Sequence, residues 1–192
     1  NVKTLLKDLS SDSPIKKTIA VAALNALSQT CYERSGSPYV TKFKADPFDE
    51  LAIKRSSFSV IVGALVPYIK FMMKNGLDFR ILELDKSALK GDELKYFIPQ
   101  ECAADAIGAA DNLIITVVTL LNDTLEEILS LKKSGADVIV VGPTVLMSPK
   151  ALFDRGVSCA GGIYTTRVGD FLDVIVQAGS EYRFSANLRK NL

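Results

Sequence analysis

Five short runs of apolar, mostly β-branched residues alternate with longer helical periods from residue 59 onward. This alternation is typical of a parallel sheet covered by helices, because such strands are buried on both faces. The pattern predicts an α/β fold, a Rossmann-like, doubly wound, mostly parallel sheet of about five strands. The strands are expected at 59–63, 79–84, 112–117, 137–141 and 158–164, and helices at 65–75, 100–109, 124–134 and 168–177.

The first 57 residues have a different pattern. Two helical periods, at 2–9 and 14–31, are separated by a Ser/Asp/Pro break, and no strand pattern is clear. A connector rich in Ser, Gly, Pro and charges follows, with a short helical turn expected near 47–51. We therefore expect a small, incomplete helical N-terminal domain at 1–57 and a Rossmann-like domain at 58–192.

The composition argues against several classes of protein. The 192 residues include 23 lysines and arginines against 22 aspartates and glutamates, so no basic excess attracts nucleic acid. The longest apolar runs, at 60–66 and 117–121, are far shorter than the ~20 residues of a membrane-spanning helix. Three widely spaced cysteines argue against a disulfide framework, and no secretory signal is recognised. We expect a cytoplasmic protein whose partner is neither nucleic acid nor a membrane.

Histidine is absent from the sequence. Its absence excludes serine–histidine and cysteine–histidine triads as well as imidazole zinc sites. Any catalysis would use carboxylates, lysines, hydroxyl groups or a cofactor, and the sequence does not decide whether the protein is an enzyme. For proton transfer, the first candidates are Glu83 and Asp123 and the third is Lys150, since few other groups near the expected strand ends titrate usefully.

The turn after the first predicted strand contains Gly63 and Pro67. A dinucleotide-binding fold begins its phosphate loop at such a glycine, although the GxGxxG series is missing here. Glu83 follows Gly63 by twenty positions, the spacing at which such folds place an acid against ribose hydroxyls. Alternatively, Gly63 only forms a tight turn, and Glu83 or Asp85 is a solvated strand end.

Polar residues also follow the third and fourth predicted strands. Asn122, Asp123 and Thr124 lie at a predicted helix start, where free backbone N–H groups can receive an anion. N-capping by Asp123 or Thr124 is the other explanation. The Gly-Pro-Thr segment 142–144 either lines a ligand site or forms only a rigid turn.

Five further residues have two explanations each. Asn25, a polar residue among small apolar ones, either points into a groove between domains or caps a neighbouring backbone group. Gly161 and Gly162 lack side chains, so either a ligand or another part of the chain can pack closely against them. Cys102 and Cys159 are expected to be small core residues rather than metal ligands.

Six motifs together resemble the family described as "putative heavy-metal chelation", over residues 15 to about 184. They are AALNAL (22–27), VGALVP (62–67), LEL (82–84), NDTLEEIL (122–129), VVGPT (140–144) and FDRGVSCAGG (153–162). The resemblance implies a Rossmann-like C-terminal domain packed on a smaller domain similar to the enolase N-terminal domain. The active site of the family is expected in the cleft between them.

The resemblance also implies candidate ligand-binding positions. Residues that match the family's recurrent positions, several of which should face the cleft, are Asn25, Gly63, Pro67, Glu83, Asn122, Thr124, Gly142, Pro143 and Thr144. The strands that normally precede the first helices of the small domain are not found here. Either residues 1–57 are a helical remnant of that domain, or residues of the domain are missing from this sequence.

Three functions are consistent with these features. The first is a cytosolic protein of this family that binds an anionic or nucleotide-like small molecule, or a metal complex, in that cleft. No metal ligands are assigned, because soft metals favour thiolate and imidazole; a metal would need carboxylates or a chelator carried by the ligand. The second is an S-adenosylmethionine- or NAD-using Rossmann enzyme in which Glu83 binds ribose. The third is a non-enzymatic scaffold that acts through its surface as a homo-oligomer.

Overall fold

The structure is a computed structural model that describes residues 1–51, 53–163 and 165–177. The chain divides into two compact units, Asn1–Gly162 and Ile163–Leu192. Within the described ranges, no helix combines the length and the apolar character that crossing a bilayer requires.

The first unit is built on one sheet of five parallel strands. The strand order is β2-β1-β3-β4-β5, which is a doubly wound order that reverses between β1 and β3. The α/β prediction is therefore confirmed. The strands are β1 (Phe58–Val62), β2 (Asp78–Leu82), β3 (Asn112–Thr116), β4 (Asp137–Val141) and β5 (Cys159–Gly161).

Alternation along the strands divides the core into two layers, since successive side chains point to opposite faces. One layer contains Val60, Leu113 and Val138, which pack with the helices α4 (Ala103–Ala109), α5 (Leu125–Leu131) and α6 (Lys150–Phe153). The other layer contains Ile61, Ile114 and Ile139, which pack with α3 (Val66–Lys74) and the 3₁₀ turn Pro47–Glu50. The sheet is thus buried on both faces, as the continuous apolar runs predict.

Two helices precede the sheet, α1 (Val2–Leu6) and α2 (Pro14–Ser35). Helix α1 continues into a 3₁₀ turn at Lys7–Ser10. Helix α2 is longer than the predicted 14–31, because the first residue suited to end it is Gly36, whose φ is 76°. In the second unit, α7 covers Val168–Val176, close to the predicted 168–177.

Further details depart from the sequence-based expectations. The fifth strand covers only three of the predicted positions 158–164, and residue 164 lies outside the described residues. Cys102 is exposed, so its assignment to the core is wrong. It lies in a 3₁₀ turn, Gln100–Cys102, ahead of α4, where the predicted helix had no apolar stripe to bury. Cys159 is partly buried and packs against the α3 layer.

Candidate functional site

The turns that follow the parallel strands lie at the carboxyl edge of the sheet, where open α/β sheets bind ligands. Gly63 follows β1 and Gly142 follows β4, with φ values of 100° and 144°. A Cβ on Gly63 would lie 2.7 Å from Cγ2 of Thr116, and one on Gly142 would collide with Val117. Glycine is therefore required at both positions, because the ends of β1, β3 and β4 pack together there and leave no space for a side chain. This packing role is independent of any role in binding a ligand.

Helix α2 is bonded to the turns that follow β3 and β4. Near its start, the ammonium group of Lys17 forms an ion pair with the carboxylate of Asp123. Lys17 is buried, whereas Asp123 is exposed and has a left-handed backbone with a φ of 61°. A lysine is rarely buried without a counter-charge, so this pair sets the position of the first half of α2 over the β3 turn.

Asn25 makes the second contact of α2. Its Nδ2 donates a 2.8 Å hydrogen bond to the carbonyl oxygen of Thr144, in the turn after β4. Its Oδ1 is buried and accepts no hydrogen bond from any described residue. Of the two roles considered for Asn25, capping a backbone group is the one found. The Oδ1 atom of Asn25 can therefore still accept a hydrogen bond.

Ser28 makes the third contact, because its hydroxyl oxygen accepts a 3.1 Å hydrogen bond from the backbone N–H of Ser148.

Sequence reasoning missed Lys17 and Ser28. Lys17 lies four residues before the buried Val21, and Ser28 lies seven residues after it. This spacing indicates that the three residues share one face of the helix. That signal was hidden, since the larger apolar residues Ile15 and Ile19 lie on the exposed side.

The residues after β3 form a small hydrogen-bonded turn. Asn122 Oδ1 accepts from the hydroxyl group of Thr124 at 2.7 Å and from its backbone N–H at 3.3 Å. Thr124 is the residue that precedes α5, and its side chain makes no capping hydrogen bond to the helix. The expected capping by Asp123 or Thr124 is therefore not the arrangement found; Asn122 supplies the side-chain acceptor instead.

The residues after β1 and β2 lie further along the same edge. Glu83 directly follows β2, is partly exposed and accepts a 3.0 Å hydrogen bond from the backbone N–H of Asp85 through Oε1. Pro67 lies in the first turn of α3. Among the described residues, no hydrogen bond or ion pair connects Glu83 with Asp123 or with α2. The structure thus brings Asn25 to Thr144, but it does not join the two carboxylates proposed for proton transfer.

Lys150, the third candidate for proton transfer, lies at the start of α6. Its ammonium group is exposed and forms a 2.6 Å ion pair with Asp154. The hydrogen bond from this ammonium to the Asp154 carboxylate, together with the attraction of the charges, raises the pKa of Lys150. A lysine in such a pair stays protonated at neutral pH, which disfavours it as a base.

A heavy-metal ion does not fit the side chains of the described residues. They contain no group of three or more histidine, cysteine, aspartate or glutamate side chains that could hold a metal ion. Cys31 and Cys102 are exposed and Cys159 is partly buried in the α3 layer, and none of the three belongs to such a group. The donor set of a soft-metal centre, thiolates or imidazoles within one coordination sphere, is thus not assembled in this part of the chain.

Comparison with known proteins identifies relatives of this chain. The model of the DUF364 family, described as "putative heavy-metal chelation", matches residues 46–192. An uncharacterised protein of Methanocaldococcus jannaschii is 28% identical over 167 residues, which are 82% of this chain and 58% of that protein. The chain thus spans less than two thirds of the length of this relative.

Two crystal structures of DUF364 proteins with unknown function share the fold. The one from Pyrococcus horikoshii has a TM-score of 0.76 and 20% identity, with 96% of this chain and 70% of that chain covered. The one from Desulfitobacterium hafniense has a TM-score of 0.70 and 19% identity, with 92% and 67% covered. The expected family resemblance is therefore confirmed, and the architecture is the one that these proteins have.

Proposed function

This chain belongs to the DUF364 family, and we propose that it binds a nucleotide-like anion, free or as a metal complex, at the carboxyl edge of its sheet beside α2. The observation that carries this proposal is the buried Oδ1 of Asn25, which has no hydrogen-bond partner in the described part of the chain. A buried acceptor without a donor costs free energy. A ligand N–H or O–H group that reached this oxygen would recover that free energy.

Lys17 supplies the positive charge for the anionic end of the ligand. Its side chain is 8% exposed, whereas the side chain of its partner, Asp123, is 74% exposed. Asp123 can therefore turn into water, where its carboxylate is well solvated, provided that another anion replaces it beside the ammonium group. A phosphate or carboxylate of the ligand would then take its place beside the ammonium group, in a charge-assisted hydrogen bond.

The separation of these two groups favours an extended ligand over a single ion. Lys17 and Asn25 are eight residues apart on α2, which corresponds to about 12 Å along a helix axis. A ligand that spans them needs an anionic group at one end and a hydroxyl or amino donor at the other. Nucleoside monophosphates have both features.

We place this activity in the cytoplasm. Cys31 and Cys102 are exposed free thiols, and exposed thiols persist where the environment is reducing. A nucleotide-like ligand is also abundant there, so the location and the ligand class are consistent with each other.

Titration calorimetry of the protein with AMP, adenosine and inorganic phosphate tests the proposal. AMP is expected to bind more tightly than either fragment, because only AMP reaches both ends of the site. Asn25→Ala is expected to weaken AMP binding about tenfold, the effect of losing one hydrogen bond in a buried site. Lys17→Met should remove the advantage of AMP over adenosine.

Gln29→Ala is the matched control, since Gln29 lies on the same helix and, among the described residues, its side-chain amide bonds only to Glu33. This variant should bind AMP as the unmodified protein does. The proposal is wrong if saturating AMP neither binds nor raises the melting temperature. It is also wrong if Gln29→Ala weakens binding as much as Asn25→Ala.

A second candidate, an S-adenosylmethionine- or NAD-using enzyme, is favoured by the register of β1 and β2. Val62 pairs with Leu82, so Gly63 and Glu83 follow neighbouring strands directly. Oε2 of Glu83 makes no hydrogen bond within the described residues, and a carboxylate in this place can accept from a ribose diol. Tight S-adenosylmethionine binding that is lost in Glu83→Ala supports this enzyme. Binding that survives in Glu83→Ala means that Glu83 does not bind the ribose, which removes the main support for this enzyme.

A further inference from the structure

A concave surface lies on the α3 face of the sheet, at the opposite end from the carboxyl edge. Its walls include Phe48, Leu51, Phe71, Leu77, Asp49 and Arg55, and we call it the Phe71 hollow. Leu77 immediately precedes β2, and Arg55 lies three residues before β1, so the hollow is at the amino ends of these strands. Its volume is about 350 Å³, near the lower end of the range for small-molecule sites.

The apolar wall of the hollow is aromatic. Phe48 is buried and packs edge-to-face against Phe71, with ring centroids 5.1 Å apart. Phe71 is 47% exposed, so part of its ring faces the space that a ligand would occupy. An exposed ring beside a buried one offers an apolar ligand a preformed contact surface.

The acidic group that lines the hollow is Asp49, and its carboxylate is unpaired among the described residues. The 3₁₀ turn Pro47–Glu50 and the residue before it carry three carboxylates. Asp46 accepts from the Tyr68 hydroxyl group at 2.8 Å, and Glu50 forms a 2.7 Å ion pair with Lys42. Asp49 has neither an ion-pair nor a side-chain hydrogen-bond partner among the described residues, and it is the one that lines the hollow.

The basic group in the hollow is unpaired as well. Arg55 is exposed, and no described carboxylate forms an ion pair with its guanidinium group. Asp49 and Arg55 therefore carry opposite charges into one hollow without neutralising each other. Such a pair of separate charges complements a ligand that carries both signs, since each charged group of the ligand gains a charge-assisted hydrogen bond.

We infer that the Phe71 hollow binds a small zwitterion with an apolar body, of the class of free α-amino acids with apolar side chains. The ammonium group of the ligand pairs with Asp49, its carboxylate pairs with Arg55, and its side chain packs against Phe71. This site is distinct from the carboxyl edge, so a negative result for either site leaves the other proposal unaffected.

Calorimetric titrations with three related probes test this assignment. Phenylalanine carries both charges, 3-phenylpropionate only the carboxylate, and phenethylamine only the ammonium group. The unmodified protein is expected to bind phenylalanine about tenfold more tightly than either analogue, because each loses one charge-assisted contact. Asp49→Asn should weaken phenylalanine and phenethylamine about tenfold and leave 3-phenylpropionate unchanged. Arg55→Gln should weaken phenylalanine and 3-phenylpropionate and leave phenethylamine unchanged.

Lys54→Gln is the matched control, because Lys54 is exposed and adjacent to Arg55 but does not line the hollow. It should bind all three probes as the unmodified protein does. Both test residues are exposed, so circular dichroism should find all variants folded. The inference is overturned if phenylalanine does not bind at millimolar concentration. It is also overturned if the two variants fail to discriminate between the analogues, or if Lys54→Gln weakens phenylalanine as much as Arg55→Gln.

Discussion

The sheet and helix α2 are held in place by different interactions. Central strand residues such as Val60, Ile114 and Ile139 are completely buried, and their positions follow from the removal of apolar surface from water. Helix α2 has 22 residues, of which the buried ones are Lys17, Ala20, Val21 and Ser28. Two of these four are polar, and both bond to turns of the sheet. Apolar burial thus builds the scaffold, whereas a few polar contacts decide where α2 lies on it.

The same substitution made in both regions measures this difference most directly. Val60→Ala removes two methyl groups from the fully buried centre of β1, and we expect it to lower the free energy of unfolding by about 2–3 kcal/mol. Val21→Ala removes the same groups from α2, where neighbours can relax into the space, and should cost about 1 kcal/mol. Urea denaturation of both variants measures the two values. Equal losses would mean that α2 is held by apolar packing after all.

The ion pair between α2 and the β3 turn should give the next largest effect. Asp123→Asn keeps the shape of the side chain and tolerates the left-handed backbone, but it leaves the buried Lys17 without its counter-charge. We expect a loss of about 1–2 kcal/mol of unfolding free energy. Lys17→Met should cost less, because Asp123 is exposed and remains hydrated.

Glu126→Gln serves as the control for this pair. Glu126 pairs with Arg155, and both side chains are largely exposed, so the change should stay below about 0.5 kcal/mol. Chemical denaturation at neutral pH compares the three variants. A Lys17→Met variant less stable than Asp123→Asn would contradict the view that the buried ammonium group, rather than the carboxylate, needs the pair.

The smallest effect on stability is expected from the hydrogen bond between α3 and the connector, and it should depend on pH. Tyr68 of α3 is half-buried and donates to Asp46, and burial followed by this hydrogen bond raises the pKa of its hydroxyl group. In the unfolded chain tyrosine loses its proton near pH 10. The stability that Tyr68 contributes is therefore complete below about pH 10 and is lost as the pH rises above it.

Tyr68→Phe isolates this contribution from that of the lysines, which titrate in the same range. The difference in unfolding free energy between the unmodified protein and Tyr68→Phe should be constant from pH 7 to about pH 9 and should decrease at higher pH. Urea denaturation at several pH values measures it. A difference that increases above pH 10 would mean that the hydroxyl group ionises more readily in the folded protein.

The strands could be predicted because each carries its own local signal. The predicted strand 137–141 is β4 to the residue, and the runs before it differ from β1, β2 and β3 by one or two positions at their ends. Apolar runs of this short length, rich in β-branched residues, favour buried strands over buried helices. The length of the fifth strand was overestimated, because the strand ends at Gly161 and a second glycine, Gly162, follows it. Pro47 packs closely on Gly161, which leaves no room for a side chain there.

The candidate site could be predicted only in part. The turns at Gly63, Glu83, Asn122 and Gly142 were expected at the carboxyl edge, and parallel strands place them there. Lys17 and Ser28 were missed, as a lysine and a serine on a helix are normally exposed. Nor could the sequence indicate that Asn25 would donate a hydrogen bond to the carbonyl oxygen of Thr144 and leave its own Oδ1 without a partner.

By itself, the sequence determined the class of fold and the positions of the strands, because these follow from local hydrophobic patterns. Only the tertiary structure decided which face of α2 is buried, which turns it contacts and which polar groups remain unpaired at the carboxyl edge and in the Phe71 hollow. The reason is physical. A charged or amide group is stable in either water or a protein interior if a partner is present, and the partners of Lys17, Asn25 and Ser28 are more than 100 residues away along the chain.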